Sequence, residues 1–303
     1  FAIAAAFGFA SIMSTILLGD ESGYEIGDVQ KTKLAVMEAE WHTEEAPAAF
    51  TLFGLPNEET QTTDYAVKIP YVLGLIATRS LDKKVTGIAE IKEQHEKRIR
   101  NGMNAYALLQ KLKNGEDTPE NRQQFMEKKK DLGYGLLLKK YTNKVVDANE
   151  EQIQKAVDDS VPHVPSMFWS FRLMVGLGFW MLLLFAFTFY ESIRQRIGEK
   201  RWLLKLALIS LPFPWIAAEL GWVVAEVGRQ PWTIAEVLPT HLSVSSLTTS
   251  DLMGSLAGFV IFYTILLIAE VYLMVKFIRQ GPGVLGTGRY HNDTHSIAKT
   301  TEI

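Results

Sequence analysis

The chain has 303 residues, of which 48% are hydrophobic and 21% charged, and its mean hydropathy is +0.05. Its charges are segregated, because residues 20–165 hold 25 of the 34 acidic and 20 of the 31 basic side chains. This pattern excludes an ordinary soluble domain and a compact bundle of membrane helices with short loops. The net charge of -3 excludes a strongly basic nucleic-acid binder, and the lack of cysteine excludes disulfides, thiolate metal sites and iron–sulfur clusters.

Four stretches are long and apolar enough to cross a bilayer, which requires about 20 residues. We predict transmembrane helices over residues 1–19, 166–190, 202–226 and 252–276. A fifth apolar patch, 69–78, is too short to span and is expected to be a buried or interfacial part of a loop. The chain opens on Phe1 inside an apolar run, without the basic leading segment of a signal peptide, which favours a fragment that lacks its N-terminal part.

The short connections predict the orientation of these spans through their Lys and Arg content. Residues 191–201 and the tail 277–303 are rich in basic side chains, whereas residues 227–251 contain only Arg229. We therefore expect the first two segments to be cytoplasmic. The long loop 20–165 and the loop 227–251 are then expected on the outer side. The Gly-rich, polar segment from residue 281 is expected to be frayed.

Helical signals recur within the long outer loop. Apolar side chains follow helical spacing over 86–113. Thr118 and Pro119 are typical of an N-cap and a first-turn proline, and Gly133 of the end of the same helix. Residues 86–133 are thus predicted to form a helical insertion, and a third short helix is expected after Asn149.

A capped helix is also predicted just outside the first span, with Asp28 as its N-cap. It carries Gln30, Lys33 and Glu38, which spread over an arc of about 140° at 100° per residue. This arc is too wide to indicate a site by geometry alone. A solvated charged face is therefore the default interpretation.

The third span carries four polar or aromatic side chains along one stripe, at spacings of 3, 4 and 3: Glu219, Trp222, Glu226 and Arg229. A carboxylate inside a membrane is costly unless it is paired, protonated or bound to a metal. One interpretation is an ion pair between Glu226 and Arg229 with a neutral Glu219, and the other is a functional carboxylate site. Pro212 and Pro214 predict a kink in this span.

The second span contains Arg172 and Met174 near its outer end. A methionine in an apolar helix usually fills space, and an arginine there can extend to the interface. The functional alternative is a thioether ligand to haem iron, with Arg172 facing a haem propionate. All six histidines lie outside the predicted spans, so intramembrane imidazole ligands would have to come from the absent part. Glu270 in the fourth span is either a neutral interface carboxyl or part of a proton path.

Three segments resemble subunit I of the cytochrome bd quinol oxidases. They are Gly221–Trp232, which ends in Gly-Arg-Gln-Pro-Trp, together with Gly27–Lys33 and Phe171–Met174, in the family's order. The resemblance covers essentially the whole chain. The long loop 20–165 is similar to the family's long quinol-loop form. It implies an all-α membrane protein with four transmembrane helices and a large, partly helical extracytoplasmic loop. The family's N-terminal part, with its histidine ligands, is what we expect to be missing.

The resemblance implies roles for eight residues. Met174 matches the axial ligand of the low-spin haem b, with Arg172 beside that haem. Glu226 matches the carboxylate at the high-spin haem b, with Trp222 nearby, and Arg229 is assigned to the structure or electrostatics of the haem site. In the outer loop, three residues match the segment that binds and oxidises quinol: Gln30, Lys33 and Glu38. The predicted topology places both groups near the outer face.

The function implied is that of a terminal quinol oxidase subunit. Ubiquinol would be oxidised outside, electrons would pass through two haems b and a haem d, and oxygen would be reduced to water, which contributes to the proton-motive force. The third haem could also be a haem b. Implied partners are subunit II, a small single-span subunit and the bilayer of the bacterial inner membrane. The fragment alone is expected to be inactive. The alternative is a non-enzymatic transporter or sensor with an outer helical domain.

Overall fold

The computed structural model describes residues 1–80 and 82–280, and the predicted frayed segment from residue 281 lies outside them. The described part contains ten α-helices and four strands, together with several short 3-10 or π segments. The helices are α1 (Ala2–Val29), α2 (Lys31–Glu38), α3 (Ile88–Lys113), α4 (Pro119–Lys128), α5 (Leu132–Leu137), α6 (Glu150–Asp159), α7 (Val164–Ile193), α8 (Arg201–Ile209), α9 (Phe213–Val227) and α10 (Thr249–Gln280). The strands are β1 (Phe50–Asn57), β2 (Thr62–Ile69), β3 (Trp232–Ile234) and β4 (Leu238–Pro239). The chain is therefore mainly helical, as predicted.

Four segments of the described chain are helical, long and apolar enough to cross a membrane, which confirms the predicted number of spans. They are Ala2–Val29, Glu150–Ile193, Arg201–Val227 and Thr249–Gln280. The third is broken between α8 and α9, at Ser210–Pro212, as its two prolines indicated. By contact, residues 1–244 form one unit, in which α7 packs against α1 and α9; α10 belongs to a second unit that begins at residue 245.

The first helix extends ten residues beyond the predicted boundary at residue 19. Asp28 lies inside α1, so its predicted role as an N-cap is wrong; the chain breaks at Gln30, and α2 begins at Lys31. Contacts from the neighbouring loop explain the extension. Arg79 forms an ion pair with Glu21, and its guanidinium lies 4.4 Å from the ring centroid of Tyr24. Tertiary contacts therefore continue the helix into its polar part.

The long loop 20–165 contains the predicted helices with one error. Thr118 accepts a hydrogen bond from the Asn121 backbone at the start of α4, and Asn149 forms a capping box with Gln152 at the start of α6. Gly133, however, does not end α4, which stops at Lys128; it lies within α5. Its Cβ would stand 2.0 Å from the Glu236 carbonyl oxygen, so glycine is needed there for close packing instead.

Two antiparallel strand pairs complete the fold, and the sequence did not indicate them. Strand β1 pairs with β2, and β3 pairs with β4. Gly54 and Pro56 within β1 are unfavourable in strands. In β2 apolar and polar side chains alternate poorly, because most of them are exposed. The hairpin matters for the site because Thr51 on β1 is buried beside α7.

Replacing Gly102 with alanine should destabilise the insertion by about 1–3 kcal/mol through overpacking. A Cβ at Gly102 would lie 2.3 Å from both the Asp131 carbonyl oxygen and the Gly135 nitrogen, so backbone must move. Thermal unfolding of the purified protein measures the loss. The control is Gly23→Ala, where no described atom lies within 4 Å and helix propensity favours alanine. Equal melting temperatures for both variants would contradict the packing argument.

Candidate functional site

Helix α2 is held in the core rather than exposed on the surface. Its apolar residues Leu34, Ala35, Val36 and Met37 are all buried. They belong to one hydrophobic cluster with Met167 and Phe168 of α7 and Val224 of α9. The sequence predicted a solvated charged face here, and for Glu38 that default is wrong, since only 3% of Glu38 is exposed. The two spans thus fix the position of the loop segment that carries the predicted quinol residues.

Glu38 forms a buried ion pair with Arg172. One Glu38 carboxylate oxygen accepts a hydrogen bond of 2.9 Å from Arg172 Nη2. The same guanidinium donates to three backbone carbonyl oxygens, with Nε 2.7 Å from Thr51 O and Nη1 2.6 Å from Met37 O and 3.3 Å from Phe168 O. Its carbon also lies 3.4 Å from the centre of the Phe168 ring. Arg172 therefore joins α2, β1 and α7 at one point, and it is buried there.

The environment of Glu38 favours a carboxyl group that can take up a proton near neutral pH. Burial raises the pKa of Glu38 to about 7, and the Arg172 guanidinium opposes this rise through its charge and its hydrogen bond. A carboxyl with such a pKa is suited to general base catalysis, because it is substantially ionised yet holds a proton well at neutral pH.

The side chain of Lys33, on α2, lies beside the C-terminal end of α9. A Cβ at Gly228 would stand 2.7 Å from Lys33 Cε and equally close to Met167 Cε, so the glycine leaves room for both side chains. Partial burial lowers the pKa of Lys33, and the carboxylate of Glu226 opposes this shift. The structure thus brings Lys33 near Glu226. Gln30, in contrast, is exposed at the junction of α1 and α2.

The stripe of Glu219, Trp222, Glu226 and Arg229 in the third span is in part as predicted. Glu226 forms an ion pair with Arg229, which confirms the structural interpretation of that spacing. Both side chains are partly exposed, and Trp222 is 64% exposed. Trp232, at the end of the motif, is buried instead, with its ring centroid 5.0 Å from that of Tyr134. The motif therefore connects the third span to the core of the insertion.

Met174 and Glu226 have side chains with the chemistry of haem ligands. The Met174 sulfur would lie 3.1 Å from a Cβ at Gly221, so the bare backbone of α9 leaves space around the thioether. Glu226 provides a carboxylate on α9, and both a thioether and a carboxylate suit haem iron or its surroundings. Within the described residues, no group of three or more His, Cys, Asp or Glu side chains could hold a metal by itself.

Cavities open on two sides of this region. One, of about 320 Å³, lies at the junction of α1 and α2, between Asp28 and Lys31 on one side and Lys83 and Lys84 on the other. The second, of about 450 Å³, is an apolar groove along α7 that begins at Arg172. Lys33 and Glu38 line neither cavity.

The sequence analysis missed Glu40, which is 4% exposed. Burial raises the pKa of Glu40 to about 8, with Glu44 as the next largest contribution in the same direction. The signal was present in the run Leu34–Trp41, where the two glutamates are surrounded by apolar residues. Such a run predicts that Glu38 and Glu40 are buried together with their neighbours.

Comparison with known proteins adds an independent line of support. The family model described as "Cytochrome bd terminal oxidase subunit I" matches residues 1–282. The chain is similar to subunit 1 of the cytochrome bd-II ubiquinol oxidase of Escherichia coli (strain K12), with 44% identity over 285 residues that cover 94% of this chain and 55% of that protein. It is also similar to subunit 1 of the cytochrome bd ubiquinol oxidase of Bacillus subtilis (strain 168), with 24% identity over 303 residues. That alignment covers 100% of this chain and 51% of the relative, so the chain spans about half the length of these curated relatives.

Proposed function

The chain belongs to the cytochrome bd terminal oxidase subunit I family, and from this premise we propose that it is part of a terminal oxidase that takes electrons from ubiquinol and reduces oxygen to water. The oxidase would lie in the bacterial inner membrane, with residues 20–165 on the periplasmic side. Subunit II and a small single-span subunit would be its partners. The separation of proton release outside from proton uptake inside would contribute to the proton-motive force.

The buried contact between Glu38 and Arg172 is the observation that carries this proposal. It joins the loop segment that resembles the quinol-binding region to the helix that carries Met174. Arg172 and Met174 are two residues apart on α7, which corresponds to a rise of about 3 Å along the helix axis. A quinol bound at this loop would therefore lie close to an electron acceptor held by the second span.

The residues of the loop would act on the quinol as follows. Lys33 is partly exposed, so its ammonium group is accessible to the substrate and can donate a hydrogen bond to a quinol oxygen. Glu38 would accept the hydroxyl proton, since its pKa of about 7 suits a general base. Arg172 holds the Glu38 carboxylate in one position through its backbone anchors. Gln30 would contact the quinol from the α1–α2 junction.

Met174 and Glu226 would hold haem iron, Met174 at a low-spin haem b and Glu226 at a high-spin haem b, with a haem d nearby. When bound, haem supplies one-electron acceptance and the site of oxygen reduction. Arg229 holds the Glu226 carboxylate in place through their ion pair. Trp222 and Arg172 would line the haem surroundings.

A reduced-minus-oxidised absorption spectrum of membranes that contain the full-length oxidase tests the proposal. Addition of ubiquinol should produce the bands of reduced haems b and d. These bands should disappear when oxygen is admitted, because the haems are reoxidised. A well-expressed, membrane-inserted protein without quinol-reducible bands would contradict the proposal. The transporter or sensor interpretation would then be preferred.

Replacing Met174 with leucine should abolish or strongly shift the absorption of the low-spin haem b and leave haem d largely in place. Leucine has a similar volume but no sulfur to bind iron. The spectrum of the purified oxidase measures the change. Met181→Leu on the same helix is the matched control, because Met181 is buried and is expected to serve packing alone. An unchanged spectrum for Met174→Leu would refute the ligand assignment.

A further inference from the structure

Arg98 on α3 joins the helical insertion to the loop that follows the third span. Its Nη1 and Nη2 donate to the two carboxylate oxygens of Glu236 at 2.6 and 2.8 Å, which is a bidentate arrangement. Its Nε donates to the carboxylate of the buried Asp131 at 2.8 Å. The guanidinium carbon also lies 4.1 Å from the centre of the buried Tyr134 ring. These partners hold the guanidinium in one geometry, unlike a typical surface ion pair.

The start of α3 is fixed to the segment that follows α2. The Ile88 N–H donates to Glu40 O at 2.7 Å, and the Ala89 N–H donates to Trp41 O at 3.0 Å. These two donors belong to the first turn of α3, whose N–H groups lack partners within the helix. Arg98 lies ten residues further along the same helix, which corresponds to a rise of about 15 Å. Helix α3 therefore gives Arg98 a fixed base beside the candidate site.

Glu236 occupies the turn between β3 and β4 in a left-handed conformation, with φ 60°. Residues other than glycine are uncommon in this conformation, and Gly or Asn adopts it at lower cost. The Glu236 carbonyl oxygen packs against Gly133, where a Cβ would stand 2.0 Å away, and the Tyr134 hydroxyl donates to Glu236 Oε1 at 3.3 Å. A glutamate in this turn is therefore best explained by its side chain, which the insertion binds.

Hydrogen bonds connect this turn to the end of α9. Strand β4 follows Glu236 and pairs with β3. Just after β4, the Thr240 N–H donates to Pro231 O at 2.8 Å, and the Thr240 hydroxyl donates to Gln230 Oε1 at 3.0 Å. The Gln230 side-chain amide in turn donates to Glu226 O at 3.3 Å. The contacts that begin at the insertion thus reach the backbone of the residue that carries the candidate haem carboxylate.

We propose that Arg98 is a positioning residue for Glu226: it fixes the β3–β4 hairpin through Glu236, and the hairpin fixes the last turn of α9. The inference rests on the proposed place of Glu226 at the high-spin haem b. A functional group must stay within about 0.5 Å of its productive position, so a support that limits its movement matters for the reaction. Arg98 acts through these contacts and gives the insertion a task in oxygen reduction.

The first test measures amide hydrogen exchange in the complete oxidase with Arg98→Gln. The N–H groups of Trp232 and Thr240 form hydrogen bonds within the loop. Loss of the bidentate contact should release the hairpin, so these two amides should exchange about tenfold faster or more. Arg100→Gln is the matched control, because Arg100 lies on the same helix and binds Glu150 of α6 at 3.0 and 2.5 Å. Parental exchange in Arg98→Gln, or equal acceleration in both variants, would overturn the inference.

The second test examines the haem that Glu226 would hold. In the reduced-minus-oxidised spectrum, Arg98→Gln should shift the band of the high-spin haem b and leave that of the low-spin haem b, at Met174, unchanged. Glu236→Gln should cause the same shift, since it weakens the same contact and leaves Arg98 bound to Asp131. The double variant should shift the band no further than Arg98→Gln does. An unchanged high-spin band in both single variants would overturn the positioning role.

A folding failure and a failure of the proposed function give different results. If Arg98→Gln does not assemble, Glu236→Gln decides, because its side chain lies in a partly exposed turn. Faster exchange with a shifted high-spin band then supports the inference, and parental values overturn it. Oxygen uptake should fall equally with ubiquinol and with an artificial electron donor that bypasses the loop, and a fall with ubiquinol alone would overturn the inference. A parent without haem bands would overturn the proposed function, and the positioning role with it.

Discussion

Replacing Arg172 with leucine is expected to lower the free energy of unfolding by about 3–5 kcal/mol, because it breaks a buried ion pair and leaves Glu38 without its partner in the core. The same change removes the donor to the carbonyl oxygens of Thr51 and Met37, which then lose their partner as well. The melting temperature of the detergent-solubilised protein, with the haem spectrum as a check on assembly, measures the loss. No other side chain of the site joins three separate segments of the described chain.

A second substitution shows whether the charge is the cause. The double variant Arg172→Leu/Glu38→Gln removes both charges, and it should recover part of the stability that Arg172→Leu loses. The control is Arg196→Leu in the connection before α8, where the side chain is exposed and a change within about 0.5 kcal/mol is expected. If the double variant is no more stable than Arg172→Leu, the loss stems from the backbone contacts alone.

Replacing Glu38 with glutamine should slow quinol-driven oxygen uptake by about 100-fold or more, which is the usual contribution of a general base. The amide has the same shape but cannot accept the hydroxyl proton. Since burial raises the pKa of Glu38 to about 7, the parental rate should rise with pH up to about neutrality and Glu38→Gln should lack that rise. Oxygen consumption by the purified oxidase with ubiquinol at several pH values measures both effects.

An artificial electron donor that bypasses the loop serves as the internal control for Glu38→Gln. Its oxidation should proceed at the parental rate, because the haem groups are untouched by the change. Glu59→Gln is the matched variant, since Glu59 lies exposed in the turn between β1 and β2. Equal losses with both donors would indicate a folding defect and would remove Glu38 from the reaction.

Local signals in the sequence were sufficient for several elements. The spacing of apolar residues predicted α3, and the capping residues Thr118 and Asn149 predicted the starts of α4 and α6. Short-range spacing also predicted the ion pair between Glu226 and Arg229. Each of these features depends on residues within a few positions of one another, so one stretch of sequence contains the information.

The features that the sequence did not reveal depend on contacts between distant segments. Glu38 and Arg172 are 134 positions apart, and no periodicity connects them. The end of α1 was misplaced because Arg79 stabilises it from the following loop. The local sequence predicts a helix end at Gly133, because its packing partner, Glu236, lies about a hundred residues away. Roles for Lys33, Glu38 and Met174 came from the family resemblance alone, and the structure adds which of them share a neighbourhood.

The docking of α3 on the backbone of Glu40 and Trp41 has a consequence for the history of the loop. The chain leaves the site at this fixed point and returns through α6 into α7. The residues in between therefore form a long loop whose two ends are fixed. The free energy cost of closing such a loop increases by only about 0.6 kcal/mol for each doubling of its length. The turn Asn114–Asp117 between α3 and α4 could therefore gain or lose residues during evolution while Glu38 and Glu40 kept their positions. Length variation in this loop and constancy of the site are compatible for that reason.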